Sequence, residues 1–445
     1  MKVNIIGAGY VGLVSGLVLA SVGHKVRVLD NDRNKIELIN NKQLPFYEKG
    51  LQTILVKSIN DKYFTAHEFK IENFGNPEII IICVGTPTVN KKISLSNIYN
   101  VGKFIGKWLK NYNSFCSIVI KSTVLSGTTD TLFKKVIEDA STLKHKNGDF
   151  GLGMNPEFLR EGNAVYDCMN PDRIIIGYED IKTKDKLTKL YQCFNCKKIY
   201  TNSRTAEMSK YVNNTLLALQ ISAINELSKI SNNLTQINFS KIIEIVNTDH
   251  RWLNCKNNKS SSILDYLIPG PGFGGSCFPK DLMALSSQSL ELNVKPHLLN
   301  AIIEINEKQP EYCIELLLKK IPRSHLNKNI LFLGITFKPE TNDLRESTSI
   351  KMIDYAIKLG CSVKFHDPFV YNNSLNDLNK NLHFGFVNDW ENEVNWADAI
   401  VIATSHKDYK KLTKLQINKK TIIFDPRSFL SRNKISSKQN YLSLG

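Results

Sequence analysis

The stretch that most constrains this chain is its first strand-turn-helix. Val3 to Ile6 is an apolar run, Gly7-Ala8-Gly9-Tyr10-Val11-Gly12 follows it, and an apolar helix pattern runs from about Val11 to Ser21. A G-x-G-x-x-G turn in that context is a dinucleotide cradle. Gly7 permits the tight turn, Gly9 lets the backbone approach a pyrophosphate, and Gly12 lets the helix pack close to the sheet, with its N-terminus facing the anion. A second strand, Lys25 to Asp30, ends on an acid, near the spacing of about 20 residues at which a carboxylate meets the adenosine ribose. A carboxylate there repels a 2′-phosphate, so the pattern asks for NAD rather than NADP.

Further apolar strands at Glu78 to Val84 and Ser117 to Lys121 alternate with helical stretches. Such alternation implies a parallel sheet covered on both faces, whose strand ends line the ligand crevice. Val84-Gly85-Thr86-Pro87 ends one strand and Lys121-Ser122-Thr123 the next. Thr86 and Thr123 either face the cofactor or merely serve turns. From Thr205 to about Ile230 apolar residues recur at helical spacing without Gly or Pro, which predicts one long helix. A second helical stretch spans Ser240 to Val246, Lys256 to Ser262 reads as a loop, and helix resumes near Lys295-Pro296 and reaches Lys320. A second strand-helix alternation follows, with strands at Asn329 to Leu333, Ser362 to Phe365, Ala399 to Ala403 and Thr421 to Phe424. The fold class is therefore α/β, with two Rossmann-like doubly wound domains joined by a long central helix and a helical region. At 445 residues the chain exceeds what one core supports. The expected domains are 1–203, 204–320 and 321–445.

No apolar run is long enough for a membrane span, and Met1-Lys2-Val3-Asn4 leads straight into a strand, leaving no room for a signal peptide; the expectation is a cytoplasmic protein. The nine cysteines are then reduced, and the lone Cys193-x-x-Cys196 lacks a second pair for zinc, so no metal is expected. The net charge of +16 comes from dispersed lysines not interleaved with aromatics. It reads as a solvated surface rather than a nucleic-acid or membrane footprint, though its field also attracts a small anionic ligand.

The most informative run is Pro269-Gly270-Pro271-Gly272-Phe273-Gly274-Gly275-Ser276-Cys277-Phe278-Pro279-Lys280-Asp281. Its four glycines do not look like core and invite close approach of a ligand. A helix starting near Pro279 places Cys277 at a helix N-terminus beside Lys280, two features that favour a thiolate. Asp281 is either a helix-start charge or the holder of a water near Cys277. In Asn155-Pro156-Glu157-Phe158-Leu159-Arg160-Glu161-Gly162, two carboxylates four apart would share a helix face. They are either a proton-transfer pair or an acidic first turn. Lys210 and Asn214 project together from the long helix, as solvated side chains or as donors to an oxyanion.

These runs resemble the UDP-glucose/GDP-mannose dehydrogenase family, most of all its UDP-glucose branch. The pieces are GAGYVGLVSG, Phe46-Tyr47-Glu48-Lys49-Gly50-Leu51, VGTP, KSTV, NPEFLREG, NPDRIIIG, the helix start Thr205 to Tyr211, PGPGFGGSCFPKD and Gly334-Ile335-Thr336-Phe337-Lys338-Pro339. They stand in the family's order over nearly the whole chain. The resemblance implies NAD-dependent four-electron oxidation of UDP-glucose to UDP-glucuronate through a covalent cysteine thiohemiacetal and thioester. It makes Cys277 the nucleophile, Lys210 and Asn214 the oxyanion donors, Asp281 and Thr123 the holders of the catalytic water, and Glu157 the general base in hydrolysis. Gly7, Gly9, Tyr10, Val11, Gly12, Asp30, Lys35, Thr86, Thr123, Glu161, Lys280 and Arg345 would serve the NAD. Phe273, Gly274, Lys338, Lys210, Asn214 and the backbone of Phe158 and Leu159 would serve the nucleotide sugar in a UDP-sugar-binding C-terminal domain. Arg251 is similar to an arginine lent to a neighbouring subunit's substrate, and the central helix to a dimerisation helix, so a homodimer or higher homo-oligomer is expected. Departures are Leu125 for a common proline, Ser94 for a common acid, Trp252 for isoleucine and the Lys256 to Ser262 loop. Competing readings are a UDP-N-acetylhexosamine or GDP-mannose dehydrogenase of the same mechanism, a catalytically silent NAD-binding regulatory protein, and a single-step 2-hydroxyacid dehydrogenase.

Overall fold

The computed structural model describes residues 1–89, 92–249, 251–254, 259–260, 262–321, 328–370, 385–430 and 440–445. The chain divides into two compact units, Met1–Asn213 and Asn214–Gly445.

The first unit is built on an eight-stranded sheet. Its order is Lys197–Thr201, Arg173–Tyr178, Gly151–Met154, Ser117–Ile120, Ile79–Ile82, Lys2–Ile6, Lys25–Asp30 and Phe64–Glu68. All neighbours are parallel except Gly151–Met154 against Arg173–Tyr178. The strand order reverses on either side of Lys2–Ile6, and that switch point is where such sheets bind ligands, beyond the strand C-termini. Both faces carry apolar cores. One gathers Val3, Ile5, Leu13, Leu17 and Val28, the other Ile6, Ile80, Ile82, Ile118, Ile120 and Phe133. Central strands such as Ile79–Ile82 are buried along their whole length, as a doubly covered sheet requires.

The second unit holds a five-stranded parallel sheet in the order Ser362–His366, Asn329–Leu333, Ala399–Ile402, Ile422–Asp425 and Asn440–Ser443. This is the other common doubly wound order, reversing beside its first strand. Ile330, Phe332 and Val401 pack on one face, and Leu331, Leu333 and Ile400 on the other. Its helical part includes Phe239–Val246, Phe278–Glu291 and His297–Lys320. The helix Ser203–Asn232 starts in the first unit and ends in the second, longer at both ends than the pattern predicts. Pro310 lies inside His297–Lys320 and is buried. Most of the predicted Lys256 to Ser262 loop lies outside the described residues; within it, Lys259–Ser260 pairs antiparallel with Leu253–Asn254.

Two expectations need correction. Residues 155–163 are not helical, so Glu157 and Glu161 do not share a helix face. Pro156 is one reason: proline disfavours a helical conformation for the residue before it. The glycine-rich run also packs, contrary to expectation. Gly270, Gly272 and Gly275 are buried, and a Cβ at Gly274 would lie 2.2 Å from the Glu346 carbonyl oxygen. Here the glycines make room for other parts of the chain.

Candidate active site

The dinucleotide cradle in the first unit has the shape its glycines imply. Gly7 sits at φ +105°, and a Cβ there would lie 2.7 Å from the Cys83 carbonyl oxygen. A Cβ on Gly12 would lie 1.9 Å from the Gly7 carbonyl oxygen, so only glycine lets the helix Tyr10–Ser21 start this close to the strand. Above Gly9 the space is open, with no atom within 4 Å of the position of its absent Cβ. Asp30 is in place at the end of the second strand. Its carboxylate accepts from the Ala8 N–H at 2.6 Å and the Asp32 N–H at 2.9 Å, which aims it at the turn. The ammonium of Lys35 lies 3.4 Å from Asp32, an acid that sequence reasoning did not single out. A cradle closed to side chains, an open patch over Gly9 and a ribose-seeking acid together fit a bound NAD.

Around the cradle, Thr86 is buried and donates its hydroxyl to the Thr123 carbonyl at 2.9 Å, tying two predicted residues together. Val11 is half-buried against the core. The Tyr10 hydroxyl bonds the buried Glu48 carboxylate, which also accepts from Gly162 N–H at 2.7 Å and Ala164 N–H at 2.8 Å. Burial, then the neighbouring Glu48, holds the Tyr10 phenol above its ordinary range. Glu48 thus fastens the cradle's helix to the segment following Glu161. Its position in the FYEKGL run was visible, but this job was not.

In the same unit, Lys210 is buried and donates to the Glu157 carboxylate at 2.6 Å and to the Glu157 carbonyl at 2.7 Å. The Leu159 N–H donates to the other carboxylate oxygen at 2.7 Å, so that backbone group serves Glu157. Burial alone would raise the Glu157 pKa. Lys210, the Leu159 N–H and Lys121 outweigh it and hold the carboxyl below its ordinary value. Glu157 is therefore an anion, as a base must be. Phe158 lies under the Arg173 guanidinium at 4.3 Å and the Lys210 ammonium at 5.5 Å. Lys210 is thus no solvated surface lysine.

In the second unit, Cys277 is the N-cap of Phe278–Glu291, with Pro279 in the first turn, and it is exposed. Asp281 is buried one turn on. Its carboxylate accepts from Lys280 at 2.7 Å and from Asn214 at 2.7 Å, joining three predicted residues. It is more than a helix-start charge, and the Lys280 ammonium is bonded to it. Phe273 is buried, its backbone exchanging two hydrogen bonds with Asn306 at 2.7 and 3.0 Å. The Gly275 N–H donates to the Arg345 carbonyl, while the Arg345 side chain pairs with Asp343 at 2.7 Å. Lys338 lies 5.6 Å from the Phe337 ring. Arg251 is 87% exposed and paired with Asp249, so it stands out from its own chain.

An NAD-type cradle on a mostly parallel sheet and a second, parallel sheet define a dinucleotide-dependent dehydrogenase. Comparison with known proteins makes the assignment narrower. The UDP-glucose/GDP-mannose dehydrogenase family matches along the chain, its NAD binding domain over residues 1–195, its central domain over 204–308 and its UDP binding domain over 331–432. A UDP-glucose 6-dehydrogenase of Rickettsia bellii is 33% identical over 444 residues, covering 98% of this chain and 97% of the relative. Two solved structures superpose over the whole chain. A UDP-glucose dehydrogenase from Pyrobaculum islandicum has a TM-score of 0.88 at 27% identity, with 97% of that chain covered. A UDP-D-ManNAc dehydrogenase from Pyrococcus horikoshii has a TM-score of 0.85 at 25% identity, with 99% covered. The chain belongs to the UDP-glucose/GDP-mannose dehydrogenase family and is an NAD-dependent dehydrogenase acting on a nucleotide sugar.

Proposed function

We propose that the protein oxidises the primary alcohol of UDP-glucose to the carboxylate of UDP-glucuronate, using Cys277 as a covalent nucleophile. NAD would be held over Gly7 to Gly12 with Asp30 at its ribose, and two NAD molecules in turn would each take one hydride. The aldehyde from the first oxidation is a poor hydride donor, because its carbonyl carbon is trigonal. Attack by the Cys277 thiolate forms a carbon–sulfur bond and a tetrahedral thiohemiacetal oxyanion. Lys210 and Asn214, one turn apart on one helix, stabilise that charge. Loss of hydride leaves a thioester on Cys277. Water held by Asp281 and Thr123 and deprotonated by Glu157 then cleaves it, returning the thiol and releasing the carboxylate.

The observation that carries this reading is the exposed Cys277 at the start of its helix, with buried Asp281 one turn on and bonded to both Lys280 and Asn214. A relative named UDP-glucose 6-dehydrogenase supports the choice of sugar. The solved UDP-D-ManNAc dehydrogenase supports a second reading, an N-acetylated sugar oxidised by the same steps. We also assign the protein to the cytoplasm. No helix among the described residues is long and apolar enough to cross a membrane.

Supplying UDP-glucose, UDP-N-acetylmannosamine and GDP-mannose in turn decides the sugar. UDP-glucose is expected to give a kcat/KM at least tenfold above the others, about 1.4 kcal/mol of transition-state preference. A higher value with either competitor overturns the assignment.

A further inference from the structure

The buried amine of Lys121 is used by none of the steps above, although it stands among their residues. Lys121 follows the strand Ser117–Ile120 and precedes Thr123 by two. Asn155 follows the strand Gly151–Met154 and precedes Glu157 by two. The two strands pair in register up to Ile120 and Met154. The Lys121 ammonium donates to the Asn155 side-chain oxygen at 2.9 Å, and the Tyr191 hydroxyl donates to the same oxygen at 2.6 Å. The Asn155 amide nitrogen donates to the Ile175 carbonyl at 2.8 Å. Lys121, Asn155 and Tyr191 are all buried, so the amide is fixed from both ends. They line a pocket together with Glu157, Phe158, Leu159 and Cys168.

We infer that Lys121 is a positioning residue for thioester hydrolysis: through Asn155 it fixes the strand ends that carry Thr123 and Glu157, and its buried charge adds to that of Lys210 beside the carboxylate. This rests on the reading of Glu157 as the base. The charged and titratable groups around Glu157 can be counted. Lys210 on the central helix and Lys121 favour its ionised form. The Cys83 thiol, just past the strand Ile79–Ile82, is pushed by burial up to about 12, and the Cys168 thiol on the helix Ala164–Met169 up to about 11. Burial likewise raises the Tyr191 phenol. All three are neutral at working pH, and Arg160, Asp167, Asp172 and Arg173 line the same pocket. Burial lowers the Lys121 pKa, opposed by Cys83, Cys168 and Glu157 and aided by Lys210.

The test follows single-turnover release of the carboxylate product against pH, with NAD and UDP-glucose bound to the full-length enzyme. The acidic limb of that profile reports protonation of the base. Lys121→Met is expected to move the limb upward by about one pH unit and to slow hydrolysis roughly tenfold below it. Formation of the first NADH should keep its rate within about twofold, a span too small to count as a lost interaction. Lys121→Gln keeps a donor to Asn155 without the charge, and it should move the limb equally; it also serves as the reading if the Met variant does not fold. Tyr191→Phe removes a donor but no charge and should leave the limb in place. An unmoved limb in the Lys121 variants overturns the inference, as does an equal shift in Tyr191→Phe, which would mark a packing effect. Glu157→Gln separates this from failure of the underlying reading. Unchanged hydrolysis in Glu157→Gln removes Glu157 as base, whereas slow hydrolysis there with an unmoved limb in Lys121→Met removes only the role of Lys121.

Discussion

Under the proposed mechanism, the buried ion pair of Lys210 and Glu157 would join catalysis to stability. Both side chains are less than a tenth exposed. Removing one partner of such a pair strands the other, at a cost of about 3–5 kcal/mol. Lys210→Ala should therefore lower the melting temperature as well as kcat, with kcat falling more than KM rises; a change in KM alone would remove its oxyanion role. Adding Glu157→Gln to Lys210→Ala should recover part of the lost stability, read by thermal unfolding. The pH sign follows from the depressed Glu157 pKa. Its contribution is present above the unfolded carboxyl value and is lost as pH falls through the lower folded value. Cys277→Ser is expected to stop after the first oxidation or to hold an oxidised adduct, seen as a mass increase on the intact protein; full turnover by this variant would refute the covalent step. At this scale the sequence showed residue types well and partners poorly. Gly7, Gly12 and Asp30 were legible because a dinucleotide turn needs those residues at those spacings. The node of Lys121, Asn155 and Tyr191 was not, because it joins positions far apart in the chain.

Among the elements, the start of the central helix carries a further buried acid, Glu207. Its carboxylate accepts from the Gly127 N–H at 2.6 Å and from the Thr129 N–H and hydroxyl at 2.8 and 2.6 Å. It thereby ties the helix to the turn that follows Thr123. Burial dominates those bonds and raises its pKa to about 7. A carboxyl raised above its unfolded value favours folding below that unfolded value, and the benefit fades as pH rises through the folded one. The stability of the native chain relative to Glu207→Gln should thus fall between about pH 4.5 and 7, by on the order of 3 kcal/mol, as measured by denaturant unfolding. A pH-independent difference would contradict this. The strands are instructive too. The apolar runs at Ile79–Ile82 and Ala399–Ile402 announce themselves. Gly151–Met154 does not, since its glycines look like a turn. They are needed because a Cβ at Gly151 would lie 1.9 Å from the Thr183 hydroxyl and one at Gly153 would lie 2.8 Å from the Gly177 carbonyl oxygen. Packing against other elements decides those positions, and local pattern cannot report it. The same holds for the cysteine loop, where glycines that look like ligand room are taken up by the chain itself.

For the whole molecule, we propose assembly into a homodimer about the central helix. Val212, Leu216, Leu227 and Ile230 recur on it at helical spacing, and each is 44–54% exposed. A stripe of that kind is suited to covering by a second copy of the chain. Leu227→Glu with Ile230→Glu should halve the mass seen by light scattering; an unchanged mass would place the contact elsewhere. The three-part domain reading belongs to the same proposal. In the proposed reaction, one active site carries a sugar alcohol through two oxidations before release. Its most direct test is the number of NADH formed per UDP-glucose consumed. We expect two, with UDP-glucuronate as the product; one NADH per sugar, with free aldehyde accumulating, would contradict the account.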